Sequence, residues 1–336
     1  MAKVWMATAC TGRMPGTRPC RCAGRRASFP RIHPVPDTDD IPLADATTHR
    51  LQILGAALLF STGGAAIKAT TLTSWQVAGF RSGIAAVALL LLVPAARRGW
   101  TWHVLPVGVL YASTLMLFVT ANKLTTAANA TFLQSTAPLY MLLFGPLLLR
   151  EHVRRRDLAF MAPVVLGMLL FFVGTDTPAH TAPNPSRGNV MALLSGFTYA
   201  LTLIGLRWLG NRAGDDQSGL PTVVAGNIIA FVACLPAALP VTGAGTGDWL
   251  AVSYLGVFQI GAAYLLLTTG ICHVTALEAS VLLLLEPALN PVWAWLAHGE
   301  RPGAWPIVGG VLILGATLVR TVVDARAERR AQPPAV

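Results

Sequence analysis

Ten apolar stretches run through this chain, at about residues 51–70, 75–94, 103–122, 127–148, 158–174, 188–208, 220–240, 250–271, 276–297 and 304–322. At about 1.5 Å of rise per residue, a helix needs roughly 20 apolar residues to cross a hydrocarbon core about 30 Å thick. These runs therefore predict membrane-spanning helices. The composition agrees. Of 336 residues, 54% are hydrophobic and 12% charged, with a mean hydropathy of +0.58. Soluble domains carry about 25% charged residues, so this chain has roughly half the charge needed to coat a wet surface. The expected fold class is an all-α integral membrane protein with ten transmembrane helices.

The formal net charge of +10 does not point to nucleic acid. Seven of the 25 Lys and Arg lie in the first 31 residues, and most others sit in short turns between apolar runs. No folded basic face with interleaved aromatics results. The turns give a topology instead, because cytoplasmic loops carry the excess of Lys and Arg. With the N-terminus inside, the cytoplasmic side collects Arg97, Arg98, Arg150, Arg154, Arg155, Arg156, Arg207, Arg212, Arg320, Arg326, Arg329 and Arg330. The opposite side holds Lys123, Arg187 and Arg301. Both termini are expected in the cytoplasm.

Residues 1–49 differ from the rest, being rich in Arg, Pro, Thr and Asp without an apolar run long enough for a signal peptide. They read as a disordered tail, or as sequence upstream of the actual translation start. Residues 324–336 form a cytoplasmic C-terminal tail. Cys10, Cys20, Cys22, Cys234 and Cys272 lack the paired spacing of a disulfide framework or a zinc site, so no metal is expected. No nucleotide-binding loop occurs, and no cofactor is expected.

The two halves repeat. "NATFLQSTAPLYMLLFGPLLLREH" from residue 129 aligns with "EASVLLLLEPALNPVWAWLAHGER" from residue 278, matching Pro138 to Pro287 and Glu151 to Glu300, each 149 residues on. Five spans separate the copies, so Glu151 and Glu300 fall on opposite sides and the two five-helix repeats, 50–175 and 187–323, are inverted. Inverted repeats accompany alternating access, with the site near the midplane between the halves.

The run "ALEASVLLLLEPALNPVWAWLAHGE" followed by "IVGGVLILGATLV" resembles the end of the second repeat in EamA-type transporters of the drug/metabolite transporter superfamily. "GAALLFSTGGAAIKATT" and "WQVAGFRSGIAAVALLLL" resemble that family's first two helices, so the similarity covers about residues 50–322. It implies a ten-helix carrier that exports small metabolites, such as amino acids or related compounds, across the inner membrane. Arg150 stands where the family has Gly before the motif glutamate, though Gly299 keeps it in the second half; His298 replaces a more usual apolar residue.

Ionisable groups inside spans are costly and mark function. Four occur: Lys68, Arg81, Glu278 and Glu286. Lys68 ends the first span and reads as a snorkelling side chain. Arg81 lies between Gly79 and Gly83, a spacing for close helix contact, and points away from both. It faces either a wet cavity, where it would suit a substrate carboxylate, or the interface. Glu278 reads as a helix-start residue or a site residue, with Asn129 its repeat partner. Pro287 and Pro291 strip helical partners from the carbonyls of Leu283 and Pro287, and Asn290 lies one turn beyond Glu286. Glu286, Asn290 and freed carbonyls form a candidate binding wall, echoed in the first half by Pro138 and Gln134. The rival reading is a packing kink with a buried structural carboxylate. The aromatics Tyr111, Tyr140, Tyr199, Tyr264 and Trp293 are expected to shape the cavity, with Tyr199, Tyr264 and Trp293 the candidates for substrate contact. Trp75, Trp100, Trp102, Trp249 and Trp305 read as an interfacial belt. Glu300 is expected to cap or pair locally, with Arg301.

The expected partners are a small-molecule substrate and the lipid bilayer, with a homodimer left open. An intramembrane enzyme would need a positioned nucleophile–base pair or metal ligands, and neither HExxH nor GxSxG occurs. A non-transporting membrane scaffold is the other alternative.

Overall fold

A computed structural model describes residues 43–149, 155–173, 180–213, 219–271 and 282–331. Among them the chain is helical, without strands. In chain order the helices are α1 (Leu43–Ser61), α2 (Gly63–Lys68), α3 (Ser74–Leu92), α4 (Val104–Leu124), α5 (Ala127–Gln134), α6 (Ala137–Leu149), α7 (Arg155–Leu170), α8 (Pro185–Ala213), α9 (Gly219–Ala238), α10 (Thr246–Tyr254), α11 (Ala263–Ile271), α12 (Leu285–His298) and α13 (Ala304–Ala331). A 3-10 turn, Pro94–Arg97, follows α3, and a π-helical segment, Leu255–Ala262, joins α10 to α11.

Six helical spans are long and apolar enough to cross a membrane: Thr47–Lys68, Ser74–Leu92, Val104–Leu124, Pro185–Leu206, Gly219–Ala238 and Thr246–Leu267. Shorter apolar helices occupy Ala159–Leu170 and Ala304–Val319. The expected run 127–148 is broken between α5 and α6. The expected run 276–297 begins outside the described residues. Two ends differ from expectation: α1 starts at Leu43 rather than near 51, and α13 continues to Ala331, well past 322.

Local chemistry sets several boundaries. Thr73 caps α3 reciprocally with Gln76: its hydroxyl accepts from Gln76 N (3.3 Å) while Gln76 Oε1 accepts from Thr73 N (3.0 Å). Thr126 accepts from Asn129 N at the start of α5 (3.1 Å). Gly299, with φ at +66°, ends α12 in the left-handed conformation; its N–H reaches Trp295 O (2.8 Å), and Glu300 N reaches Ala294 O (3.4 Å).

The helix contacts come in exchangeable sets. α4 packs along α8, as α11 packs along α1; α9 lies on α4, as the π segment lies on α3. α5 and α6 lean on α8, as α12 leans on α1 and α2. The remaining large contacts, α3 with α9, α7 with α13 and α5 with α12, pair equivalent helices of the two repeats. The breaks obey the same relation. The turn at Ser135 before Pro138 and the turn at Leu284 before Pro287 lie 149 residues apart, as the sequence repeat requires. Gly79 and Gly83 let α3 approach α9, since a Cβ on them would sit 2.9 Å from Cys234 Cβ and 2.8 Å from Phe231 Cδ2.

Candidate functional site

A central cavity lies where the broken helices converge. Its walls come from α1 (Phe60), α3 (Arg81), α4 (Tyr111, Thr114), the α5–α6 break (Thr131, Gln134, Ser135, Pro138), α8 (Tyr199), the π segment and α11 (Gln259, Tyr264), the start of α12 (Glu286, Pro287) and α13 (Thr317). Each break serves the wall. Pro138 and Pro287 cannot donate to the preceding turn, and the chain there turns side chains inward. The π segment carries one extra residue per turn, a distortion frequent at functional sites; it places Gln259 on the cavity while Phe258 remains exposed.

Arg81 is 2% exposed, and its Nε has no hydrogen-bond partner. Neither Arg81 nor Glu286 makes an ion pair or a hydrogen bond among the described residues. They are the charged side chains of the lining, which also carries Tyr111, Tyr199 and Tyr264. Arg81 is within electrostatic reach of Tyr111 and Tyr264, while Glu286 is within reach of Tyr199 and Tyr264. Tyr111 and Tyr264 share a hydrogen bond through their hydroxyls (3.2 Å), and Phe60 packs edge-on against Tyr264 at 5.3 Å. Gln134 Nε2 donates to Ser195 Oγ (2.8 Å), which donates to Thr114 O (3.2 Å).

The other sequence candidates lie elsewhere. Asn290 is buried beside the cavity, not on it; its amide donates to Thr131 Oγ1 and its Oδ1 packs against Gly64. Asn129 belongs to a buried network, donating to Thr125 Oγ1 (3.3 Å) and Asn189 Oδ1 (3.2 Å). Trp293 Nε1 donates to Ser61 Oγ (2.9 Å) at the break between α1 and α2. Pro291 lies inside α12. Tyr140 packs edge-on against Phe197 at 5.6 Å. Glu278 lies outside the described residues.

Lys68 and Glu300 depart from the sequence reading. Lys68 does not snorkel: its ammonium pairs with Glu300 Oε1 (3.0 Å) and donates to Thr125 O (2.7 Å) and Thr181 O (2.5 Å). Glu300 turns inward instead of pairing with Arg301, and its Oε2 accepts from Ala127 N at the start of α5 (2.8 Å). At the same end, Lys123 Nζ donates to Thr70 O (2.6 Å), and Asp248 accepts from Thr71 N (2.6 Å) and Thr71 Oγ1 (2.9 Å). The Thr62 and Tyr254 hydroxyls bond across the first break (2.9 Å). Arg97, after α3, bonds to Leu90 O, and Trp100 donates to Ala96 O (3.0 Å). The Lys68–Glu300 end is stapled across the two repeats.

A family model, the EamA-like transporter family, matches residues 50–173 and again 186–322. This chain belongs to that family. Each match covers one repeat, and the gap between them covers the connection from α7 to α8. Among the family's named proteins, the pseudopaline exporter CntI of Pseudomonas aeruginosa is 26% identical over 274 residues, spanning 78% of this chain and 92% of its own. The transporter YdfC of Bacillus subtilis is 25% identical over 194 residues, 58% of this chain and 62% of its own. One crystal structure superposes with a TM-score of 0.54 at 21% identity, covering 84% of this chain and 99% of the other, which shows the fold. The EamA-like chain is a multi-pass membrane transporter, as its sequence resemblance implied.

Tyr111, expected among the cavity aromatics, lines the wall of this EamA-like protein, while Thr131 and Gln259 entered it without being singled out. Gln259 had a signal: it is an amide inside the apolar run "GVFQIGAAYLLL". Thr131 had none, because its hydroxyl faces Asn290 only once two distant helices cross.

Proposed function

We propose that this EamA-like protein is a secondary transporter that exports small metabolites, amino acids or related compounds, across the inner membrane by alternating access. Ten spans in two inverted repeats, 50–175 and 187–323, carry it, with both termini in the cytoplasm. In that orientation the end tied by Lys68 and Glu300 faces outward. The observation that supports this reading most is the cavity itself: it holds an unpaired buried guanidinium and an unpaired carboxylate between paired helix breaks. Burying such charges without partners is costly, and a visiting solute repays that cost.

Other features favour a carrier over the rivals. A static pore would not need one end tied by Lys68 and Glu300, whereas a carrier must close its ends in turn. An intramembrane hydrolase would need a nucleophile beside a base. The lining serine, Ser135, instead donates its hydroxyl to Thr131 O (2.8 Å).

The test is exchange in proteoliposomes against pooled amino acids, nucleosides and cationic drugs, with wild type and Glu286→Gln side by side. Exchange that the variant alters in rate or pH dependence supports a carrier with its site at α12. A wild type that moves no pool sinks the transport reading.

A further inference from the structure

Beside Gly64, near the start of α2, two amide oxygens face one space without a donor. A Cβ on Gly64 would collide with Asn290 Oδ1, and it would stand 3.1 Å from Asn122 Oδ1 and 2.9 Å from Ala127 Cβ. Asn122 is 0% and Asn290 2% exposed, and neither oxygen has a hydrogen-bond partner. The other half of each amide sets its orientation: Asn122 Nδ2 donates to Phe118 O (2.9 Å) and Asn290 Nδ2 to Thr131 Oγ1. Oxygen rather than nitrogen is therefore turned towards Gly64. Two carbonyl dipoles with their negative ends at one buried spot repel each other, and each lacks the partner that burial demands.

We infer that this spot binds a monovalent alkali-metal cation, held by Asn122 Oδ1 and Asn290 Oδ1 against Gly64. Hard cations take oxygen ligands, and in some broken-helix carriers freed carbonyls hold Na+. Both oxygens here are neutral, so a divalent ion would stay largely uncompensated in a buried site. A single charge suits them. Glycine at 64 and alanine at 127 keep larger side chains out of the space. The site draws on both repeats, through α2 and α4 in the first and α12 in the second. Gly64 lies one turn before Lys68, and Ala127 N donates to Glu300 Oε2 (2.8 Å). The cation therefore bridges elements that the Lys68–Glu300 pair also joins, and it binds while they are together. Its preference for that arrangement shifts the population towards the tied conformation. The inference goes beyond the transporter reading and does not depend on it, because binding is measured on the resting protein.

Thermal unfolding of the full chain in detergent tests this, with NaCl or KCl replaced stepwise by N-methyl-D-glucamine chloride at constant ionic strength. NaCl or KCl should raise the melting temperature along a saturable single-site curve. N-methyl-D-glucamine, too large for the space, should not. Asn122→Leu and Asn290→Leu should each abolish the dependence while still melting cooperatively. Asn227 also has a buried, unpartnered Oδ1, but on α9, and Asn227→Leu should keep the dependence. Asn122→Asp gives an outcome that misfolding cannot imitate: a carboxylate beside the cation should lower the half-saturating concentration at least about tenfold. Identical melting in all three salts, or a dependence that both leucine variants retain, overturns the inference and leaves a bridging water in its place. If the leucine variants do not fold, Asn122→Asp decides alone, and an unchanged half-saturating concentration overturns the site. Transport is judged separately, by exchange in proteoliposomes.

Discussion

Lys68 Nζ stands 3.0 Å from Glu300 Oε1, and each side chain is only 4% exposed. The pair joins the end of α2 in the first repeat to the residue after α12 in the second. Its other bonds reach further, from the ammonium to Thr125 O and Thr181 O and from the carboxylate to Ala127 N. Four segments are thus tied by one pair of charges. A buried ion pair offsets its desolvation only when the remaining donors and acceptors are also used, and here they largely are.

Removing one partner should therefore be expensive. Glu300→Gln strands an ammonium and Lys68→Met strands a carboxylate; each is expected to cost about 3–5 kcal/mol. Lys68→Met combined with Glu300→Leu should cost clearly less than the sum, because no charge is left alone. Denaturant unfolding in micelles gives the cycle. Strictly additive costs would mean that the two residues act separately.

If the stapled end must open during the cycle, the pair must part. Cysteines replacing Lys68 and Glu300, in a background without the native cysteines, should be bridged by a bifunctional disulfide-forming reagent. Bridging should stop counterflow, and a reductant should restore it. Counterflow that continues in the bridged protein would show that this end stays shut throughout.

Glu286 is the carboxylate on the cavity wall, so proton coupling through the site would have to run through it. Glu286→Gln keeps the shape and removes the titration. Exchange by the variant, measured over a pH series, should become flat while wild-type exchange varies with pH. A variant that follows the wild-type profile would place the coupling elsewhere.

Arg81 invites the reverse of the usual mutational outcome. Replacing a buried residue generally destabilises. A guanidinium with no partner, however, carries a desolvation cost that folding must offset elsewhere. Arg81→Leu is expected to melt at or above the wild-type temperature, gaining up to about 2 kcal/mol. A large fall in melting temperature without ligand would reveal a structural partner for Arg81.

Much of this was legible in the sequence, for identifiable reasons. The Pro138 and Pro287 repeat foretold the paired breaks, because proline acts on its own helix and needs no tertiary context. Arg81 and Glu286 stood out because charge inside an apolar run is locally visible. Asn290 misled: one helical turn from Glu286 puts it on roughly the same face, but α12 turns it against Thr131 and Gly64. The break at Thr62 has no proline to announce it and is held by Tyr254 from a distant helix. Lys68 and Glu300 each have an ordinary reading alone, as a snorkelling end and a local cap. Their meeting is a property of the packed repeats.

Gly299 connects that pairing to a single backbone angle. Its φ of +66° lets the chain leave α12 and bring Glu300 back over the helix end, where Glu300 N still reaches Ala294 O (3.4 Å). No neighbouring atom would meet a Cβ at this position, so a side chain here faces conformational cost without a clash. Gly299→Ala should lose about 1–2 kcal/mol. Gly299→Asn should lose less, because asparagine visits the left-handed region more readily. If the angle matters because it aims Glu300, the two variants should also weaken the Lys68–Glu300 coupling in that order. Equal losses for Ala and Asn, with the coupling intact, would reduce Gly299 to an ordinary helix end.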